Sequence, residues 1–318
     1  MVENSAPMQV GFCGTGEYSV ICAQALQQHP HFQVSWAITP APKPVGRKKT
    51  ITPSPLDVWA QQQGLPVIHI TNQLKDLESQ IATLPPIDYL LVVSFGYLIP
   101  TWLLDLPKIG AVNVHPSDLP KFRGSSPGQF VLLYGERTSA VSVMLMNTKF
   151  DQGAIIQQLP MTLSPLENQE TYYQKAFALA QENLPQILQE YAIRKESTPQ
   201  LTAADNAPLA RRLSREDGFI PYSAVLAAQR GEPFTTQMVI EFGPALQDLL
   251  AAQPQLTPAQ CLDRAMRAFH PWPGIWTIVP EYKGKQDVRQ KLIAGSLETN
   301  GRYILHSVQF EGEAPQKI

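Results

Sequence analysis

The residues best suited to chemistry in this chain are an amide and an imidazole two positions apart. Asn113 and His115 follow a strongly apolar run, so in a β-strand both side chains project from one face. An asparagine N–H beside a histidine can stabilise an oxyanion and handle a proton. The loop at 116–127 carries three prolines and a glycine, and such a rigid loop suits a ligand contact. On the residues alone, a plain strand end followed by a turn is an equally good interpretation.

A carboxylate is the third candidate. Asp151 lies in the turn Phe150-Asp151-Gln152-Gly153 between two apolar stretches. In that position it can cap the turn or act as a base beside His115. Its immediate neighbours favour the structural role slightly.

The composition indicates a globular protein with room for two domains. The chain has 318 residues, of which 44% are hydrophobic, and a net charge of -2, so a nucleic-acid partner would have to be held by a local basic patch. Its three cysteines form no CxxC pair, which fits a reducing compartment and predicts no metal site. The sequence shows no signal-peptide pattern and no apolar run of the roughly 20 residues that span a membrane. We therefore expect a soluble cytoplasmic protein.

The elements that must position these side chains alternate between strand and helix. A strand at 8–12, the turn Gly14-Thr15-Gly16 and a helix at 18–28 are typical of a doubly wound, Rossmann-like α/β fold. Ser19 stands where a dinucleotide fingerprint needs its third glycine, so we interpret the turn as structural. Residues 88–94 predict a central parallel strand, and the loop after it lies where open parallel sheets bind ligands.

Two further regions bear on partners and domains. Residues 39–55 contain five prolines and predict an irregular loop that carries Lys43, Arg47, Lys48 and Lys49. This cluster can grip a phosphate backbone, although a solvated loop is the commoner interpretation. A shift in composition predicts a linker at 196–208 between a catalytic domain at 1–195 and a smaller domain at 209–318. The second domain begins with helical patterns and ends in short alternating runs typical of a β-rich unit.

Six segments together resemble the methionyl-tRNA formyltransferase family, within the transferases that use 10-formyltetrahydrofolate. They are residues 14–20, 44–55, 92–100, 113–129, 150–153 and 267–276. The resemblance implies that Asn113, His115 and Asp151 are the catalytic residues. It also implies attack of the α-amine of methionyl-initiator tRNA on the formyl carbon, through a tetrahedral intermediate whose oxygen accepts hydrogen bonds from Asn113 and His115. Asp151 would orient His115 and help to move the amine proton, and no metal would be needed.

The resemblance also implies where the formyl donor and the tRNA bind. The folate would bind against two loops, made of Ser94, Phe95, Gly96, Tyr97, Leu98, Ser117, Asp118, Leu119 and Pro120. Asp118 stands where the family more commonly has an apolar residue, and Gly16 replaces a common proline. The basic cluster Lys43, Arg47, Lys48 and Lys49 matches in kind and place a loop that contacts the tRNA acceptor stem.

The C-terminal domain matches the family least well. In the family it is an OB-like barrel that completes the grip on tRNA, whereas residues 229–262 here look inserted or rewritten. We therefore expect an OB-like domain that is atypical or shortened, in a monomeric enzyme. Two alternatives stay open: a formyltransferase acting on an amino-sugar nucleotide with the same folate site, which would not need the basic loop, and a non-catalytic RNA-binding relative.

Overall fold

The fold is described from a computed structural model, which describes residues 6–46, 48–200 and 207–318. The chain forms two compact units. The first comprises the described residues within Met1–Ser125, Ser139–Met161 and Gln174–Leu209, and the second those within Ser126–Thr138, Thr162–Tyr173 and Ala210–Ile318. Residues 126–138 and 162–173 thus group with the C-terminal unit, whereas the sequence interpretation placed them in the first domain.

A seven-stranded sheet is the centre of the first unit. The strands up to residue 162 are β1 (Met8–Gly14), β2 (Phe32–Pro40), β3 (Lys43–Val45), β4 (Thr50–Thr52), β5 (Val67–Ile70), β6 (Tyr89–Val93), β7 (Gly110–His115), β8 (Thr138–Leu145) and β9 (Ile155–Thr162). The order in the large sheet is β5-β2-β1-β6-β7-β8-β9. The pairings from β5 to β7 are parallel, and β8 runs antiparallel to β7. The predicted doubly wound α/β fold is confirmed.

The strand order explains where a ligand can bind. The chain builds outward from β1 through β2 to β5 and then returns to β6 on the other side of β1. A crevice forms at the carboxyl ends of the strands where such an order reverses. Every residue of β6 is buried, as predicted for a strand covered on both faces, and the loop after Val93 therefore emerges at this crevice.

The α-helices that the structure describes up to residue 194 are α1 (Glu17–Gln27), α2 (Pro55–Gln62), α3 (Glu78–Ile81), α4 (Thr101–Leu104), α5 (Pro127–Tyr134) and α6 (Gln169–Arg194). The helix α2 begins where the Ser54 hydroxyl accepts from the Asp57 N–H, with Pro55 at the first helical position. In the first turn of α1, the Ser19 hydroxyl donates to the Val93 carbonyl and accepts from the Thr15 N–H. This serine therefore ties the glycine turn to β6, in agreement with a structural role for the turn.

The proline-rich stretch departs from its prediction as an irregular loop. Strands β3 and β4 pair as an antiparallel hairpin, in which Pro44 lies opposite Ile51. The prediction was wrong because a two-stranded ribbon has only edge strands. Proline is tolerated at an edge, where its missing N–H interrupts no second ladder.

The second unit combines helices with a small antiparallel sheet. Its elements after residue 210 are α7 (Tyr222–Arg230), α8 (Thr236–Glu241), α9 (Pro244–Ala252), α10 (Pro258–Phe269), β10 (Ile275–Tyr282), β11 (Lys285–Leu297), β12 (Tyr303–Phe310) and β13 (Gln316–Lys317). The predicted β-rich C-terminal unit is confirmed, and its order β10-β11-β12-β13 leaves β10 and β13 at the two edges. Helix α5 packs on α10, which explains why residues 126–138 group with this unit.

A buried carboxylate organises the helical part of the second unit. Asp217 is fully buried and accepts hydrogen bonds from the Arg211 guanidinium, from the N–H and hydroxyl of Ser214 and from the Ala245 N–H. Burial alone would raise the pKa of this carboxyl, but the bonds from Arg211 and the Ser214 N–H outweigh it and lower the pKa. Asp217 is therefore ionised in the fold and ties the segment after residue 210 to the start of α9.

Candidate active site

The structure brings the three predicted catalytic residues together at the carboxyl end of β7. The Asn113 Nδ2 donates to Asp151 Oδ1 at 3.4 Å, and His115 Nδ1 lies 3.8 Å from Asp151 Oδ2. Asn113 and His115 are both on β7, and Asp151 lies in the turn between β8 and β9. β8 runs antiparallel to β7 with its last residue, Leu145, opposite Val112, so the turn that follows β8 starts next to the residue before Asn113.

The other imidazole nitrogen of His115 is held by the loop that follows β7. Its Nε2 lies 3.0 Å from the Phe122 carbonyl oxygen. A carbonyl only accepts, so Nε2 carries a hydrogen and donates it. Nδ1 is thus the nitrogen on the side of Asp151. The ring itself is 4% exposed, which leaves little freedom to turn.

The backbone around Asp151 adopts an unusual conformation. Asp151 has φ 52 and Phe122 has φ 60, both in the left-handed region that costs about 1–3 kcal/mol for such residues. Asp151 Oδ2 accepts from the Gly124 N–H at 2.8 Å, which joins the two loops. At Gly153, a Cβ would lie 1.7 Å from the Leu145 carbonyl oxygen, so only glycine allows this turn to lie so close to the end of β8.

A cavity opens beside Asn113 and Asp151. Its other lining residues are Val92, Phe95, Tyr97, Leu98, Ile99, Met144, Met146, Asn147, Lys149 and Phe150. The rings of Phe95 and Tyr97 lie 5.1 Å apart between centroids. Apolar and aromatic walls with a few convergent polar groups at one end suit a flat, largely aromatic ligand. Within the described part of the chain His115 is not among the lining residues, so it stands behind Asn113 and Asp151.

The residues predicted to bind the folate fall into two groups. Phe95, Tyr97 and Leu98 line the cavity, while Ser94 and Gly96 are exposed in the same loop. The segment from Ser117 to Pro120 does not belong to the described cavity lining.

Side chains from β8 and β9 hold the segment from Ser117 to Pro120 by hydrogen bonds to its backbone. The Ser142 hydroxyl donates to the Ser117 carbonyl and accepts from the Leu119 N–H, and the Gln158 amide donates to the Leu119 carbonyl. Gln158 also donates to Asp118 Oδ1 at 3.0 Å, so the unexpected exposed carboxylate is tied to the same anchor. A cofactor role for Ser117, Asp118, Leu119 and Pro120 stays a prediction.

Three of the four predicted tRNA-binding cations lie on the β3–β4 hairpin. Lys43, Lys48 and Lys49 are exposed there, as are the apolar side chains of Val45 and Ile51. Arg47 lies outside the described residues. A role in tRNA binding stays a prediction for all four cations.

Sequence reasoning missed several residues of the site. Met144 and Met146 line the cavity and are two positions apart at the end of β8, so the alternation of that strand was a usable signal. Lys149 also lines it, in a turn where its N–H donates to Asn147 Oδ1. Gln200 contacts the Asp151 turn from a Thr- and Pro-containing stretch that has no periodicity, and no local signal points to it.

Metal binding and membrane spanning find no support in the described ranges. They contain no group of three or more His, Cys, Asp and Glu side chains placed to hold a metal ion. None of the helices described is both long and apolar enough to cross a bilayer.

The fold and the site define a class of protein. Residues 10–188 match the family model for formyl transferases, which is more than half of the chain. The chain therefore belongs to the formyl transferase family.

Within this class, the similar proteins include methionyl-tRNA formyltransferases. The one from Idiomarina loihiensis is 30% identical over 307 residues, which is 94% of this chain and 85% of that protein. The one from Ehrlichia ruminantium (strain Welgevonden) is 33% identical over 183 residues, 57% of this chain. That match spans 60% of the length of the Ehrlichia protein.

Solved structures share the fold at low sequence identity. A methionyl-tRNA formyltransferase from Clostridium thermocellum is 16% identical with a TM-score of 0.54, covering 95% of this chain and 98% of that one. An N-formyltransferase from Helicobacter canadensis, solved with folinic acid and dTDP-3-aminofucose, is 16% identical with a TM-score of 0.53, covering 89% of this chain and 95% of that one. The fold is therefore common to a protein named for methionyl-tRNA and to one solved with an amino-sugar nucleotide.

Proposed function

We propose that this protein transfers the formyl group of 10-formyltetrahydrofolate to the α-amine of methionyl-initiator tRNA. The observation that carries the proposal is the convergence of Asn113, His115 and Asp151 beside an apolar, aromatic cavity. The family match, and the names of relatives that align over most of the chain, support formyl transfer as the reaction.

The cavity is the proposed site of the formyl donor. A pterin is flat and aromatic, and it stacks well against Phe95 and Tyr97 while its polar edge meets backbone groups. The formyl group would then lie at the polar end, next to Asn113 and Asp151. Holding donor and amine in line at this point supplies a large part of the rate enhancement.

We assign a separate task to each of the three proposed catalytic side chains. Attack of the amine on the formyl carbon places negative charge on the former formyl oxygen, and the Asn113 Nδ2 is the amide donor at the cavity wall that can stabilise it. Asp151 also lines the cavity and is placed to accept the amine proton. His115 Nδ1 lies 3.8 Å from Asp151 Oδ2, where it can share that proton while Nε2 stays bonded to Phe122. The bond between the formyl carbon and N10 then breaks, and N10 takes up the proton, directly or through water, as tetrahydrofolate leaves.

The acceptor is assigned from the hairpin β3–β4. The hairpin carries three exposed lysines, which suit contacts with several phosphates of a nucleic acid. An amino-sugar nucleotide has two phosphates and does not need so many cations. The names of the aligned relatives support the same acceptor.

The test is a competition between acceptors. Purified protein receives 10-formyltetrahydrofolate with methionyl-initiator tRNA and an amino-sugar nucleotide in the same tube, and both formylated products are quantified. We expect product on the tRNA. Formylation of the amino-sugar nucleotide alone would show that the sugar, and not the tRNA, is the acceptor. Formylation of neither would refute formyl transfer to tRNA and to amino-sugar nucleotides alike.

A further inference from the structure

One side chain beyond α6 bridges the two loops of the candidate site. The Gln200 Nε2 donates to the Asp151 carbonyl at 2.9 Å and to the Gly153 carbonyl at 2.8 Å. The Gln200 Oε1 accepts from Arg123 Nε at 3.0 Å and from Arg123 Nη2 at 2.7 Å. Gln200 therefore makes two hydrogen bonds to the turn that carries Asp151 and two to Arg123, in the loop that holds His115.

The partner arginine belongs to the loop that holds His115. Arg123 is 8% exposed and directly follows Phe122, whose carbonyl accepts from His115 Nε2. The next residue, Gly124, donates its N–H to Asp151 Oδ2. These contacts form a closed circuit. It runs by hydrogen bonds from the Asp151 carbonyl to Gln200 and on to Arg123, along the chain to Gly124, and from the Gly124 N–H back to the Asp151 carboxylate.

The backbone of the same segment strengthens this arrangement. The Phe122 N–H donates to the Pro208 carbonyl at 2.7 Å, and Arg123 forms a parallel bridge with Leu209. On the other side, Thr198 forms an antiparallel bridge with Ile155, at the start of β9. Residues on both sides of Gln200 are therefore attached to the site by main-chain bonds.

We propose that Gln200 and Arg123 are positioning residues that set the distance between the Asp151 carboxylate and the His115 ring, an inference that rests on the proposed function. Gln200 lies beyond residue 188, where the match to the family model ends. The left-handed backbone at Asp151 and Phe122 persists only when its surroundings hold it, and the amide of Gln200 bonds one of these turns while Arg123 extends the other. Gln200 and its described neighbours Thr198 and Pro208 are thus a working part of the active site.

Substitution of either partner separates positioning from binding. Gln200→Met keeps the length of the side chain and removes all four hydrogen bonds. Arg123→Met removes the two that Arg123 donates to Gln200. We expect each to lower kcat about 10- to 100-fold with little change in KM for either substrate, because misplacement of a catalytic group by about 1 Å can cost about 100-fold in rate. The double variant should be no slower than the slower single variant, since both act through one bridge.

A second variant and a second measurement keep the test independent of folding and of activity. Gln200→Glu keeps an oxygen for Arg123 but cannot donate to the Asp151 and Gly153 carbonyls, so it should also lower kcat. Amide exchange of Gly124, read by mass spectrometry on peptides covering 122–126, should become at least about tenfold faster in all these variants, because the N–H loses a firmly held acceptor. Gln186→Met, on the exposed face of α6, is the matched control.

The outcomes are distinct. A normal kcat in Gln200→Met, or unchanged exchange of Gly124, would overturn the positioning role even if the wild-type protein transfers formyl groups as proposed. If the wild-type protein formylates neither acceptor, the proposed function fails, and the exchange of Gly124 alone then decides whether Gln200 holds the two turns together.

Discussion

Replacement of Asp151 by asparagine tests the centre of the proposed mechanism with a minimal change of shape. The carboxylate accepts from Gly124 through one oxygen and from the Asn113 amide through the other. In Asp151→Asn, the new amide must turn its NH2 towards one of these two donors. At the same time the negative charge beside His115 disappears.

The size of the effect follows from the distance to the imidazole. A unit charge on the ring 3.8 Å from the carboxylate is stabilised by about 4 kcal/mol at an effective dielectric constant of about 20, suited to a group that is 10% exposed. If the amine proton passes between Asp151 and His115, most of this stabilisation is lost from the transition state. A loss of about 4 kcal/mol corresponds to a fall in kcat of about 1,000-fold.

Single-turnover formyl transfer with both substrates saturating measures this loss directly. Thermal unfolding should show that the Asp151→Asn protein is folded. Its affinity for tRNA should be near that of the wild type, because Asp151 lies in the turn between β8 and β9 and not on the lysine-bearing hairpin β3–β4. Asp76→Asn, an exposed carboxylate after β5, is the matched control and should be fully active. A fall of less than tenfold in the folded Asp151→Asn protein would refute the proposed proton path.

Three further predictions concern the turn, the second unit and the hairpin. Gly153→Ala should destabilise the protein by about 3 kcal/mol or more and lower kcat, because the added Cβ would overlap the Leu145 carbonyl oxygen. Urea unfolding measures the loss of stability and steady-state kinetics measure kcat, and an unchanged kcat would contradict the observed turn. Because the pKa of Asp217 is lowered, its carboxylate stabilises the fold above pH about 4, and this stabilisation is lost as the pH falls through the lowered pKa. Asp217→Asn should therefore flatten the acid limb of the curve of unfolding free energy against pH. A curve identical to that of the wild type would show that the bonds to this carboxylate do not contribute to stability. Replacing Lys48 and Lys49 together by alanine should weaken tRNA binding and reduce its salt dependence by a slope of about 2, and an unaltered slope in filter binding would remove the hairpin from the tRNA site.

The sequence was most informative where a local pattern has only one good structural solution. The apolar run ending in Asn113 and His115 reads as a strand, and the period of a strand puts both side chains on one face. The buried run of β6 reads as a central strand, and its carboxyl end marks the ligand crevice. The hairpin of β3 and β4 was missed because proline content is a reliable signal against central strands only.

Tertiary structure decided how the site is held together. Asp151 joined the other two catalytic candidates through the resemblance, and the register that pairs Leu145 with Val112 brings the turn that carries Asp151, 36 positions beyond His115, next to Asn113. The bond from Gly124 to Asp151 and the bridge from Gln200 to Asp151 and Arg123 depend on segments far apart in the chain.

The sequence by itself determined the fold class, the strand that presents the amide and the imidazole, and the basic residues available to a polyanion, because each depends on residue type and short-range spacing. Only the tertiary structure decided which nitrogen of His115 faces Asp151 and which residues hold the two turns at working distance. The physical reason is that hydrogen bonds of this kind are specified by where separate loops meet, and a glutamine in an aperiodic segment carries no local sign of the carbonyl groups it will find.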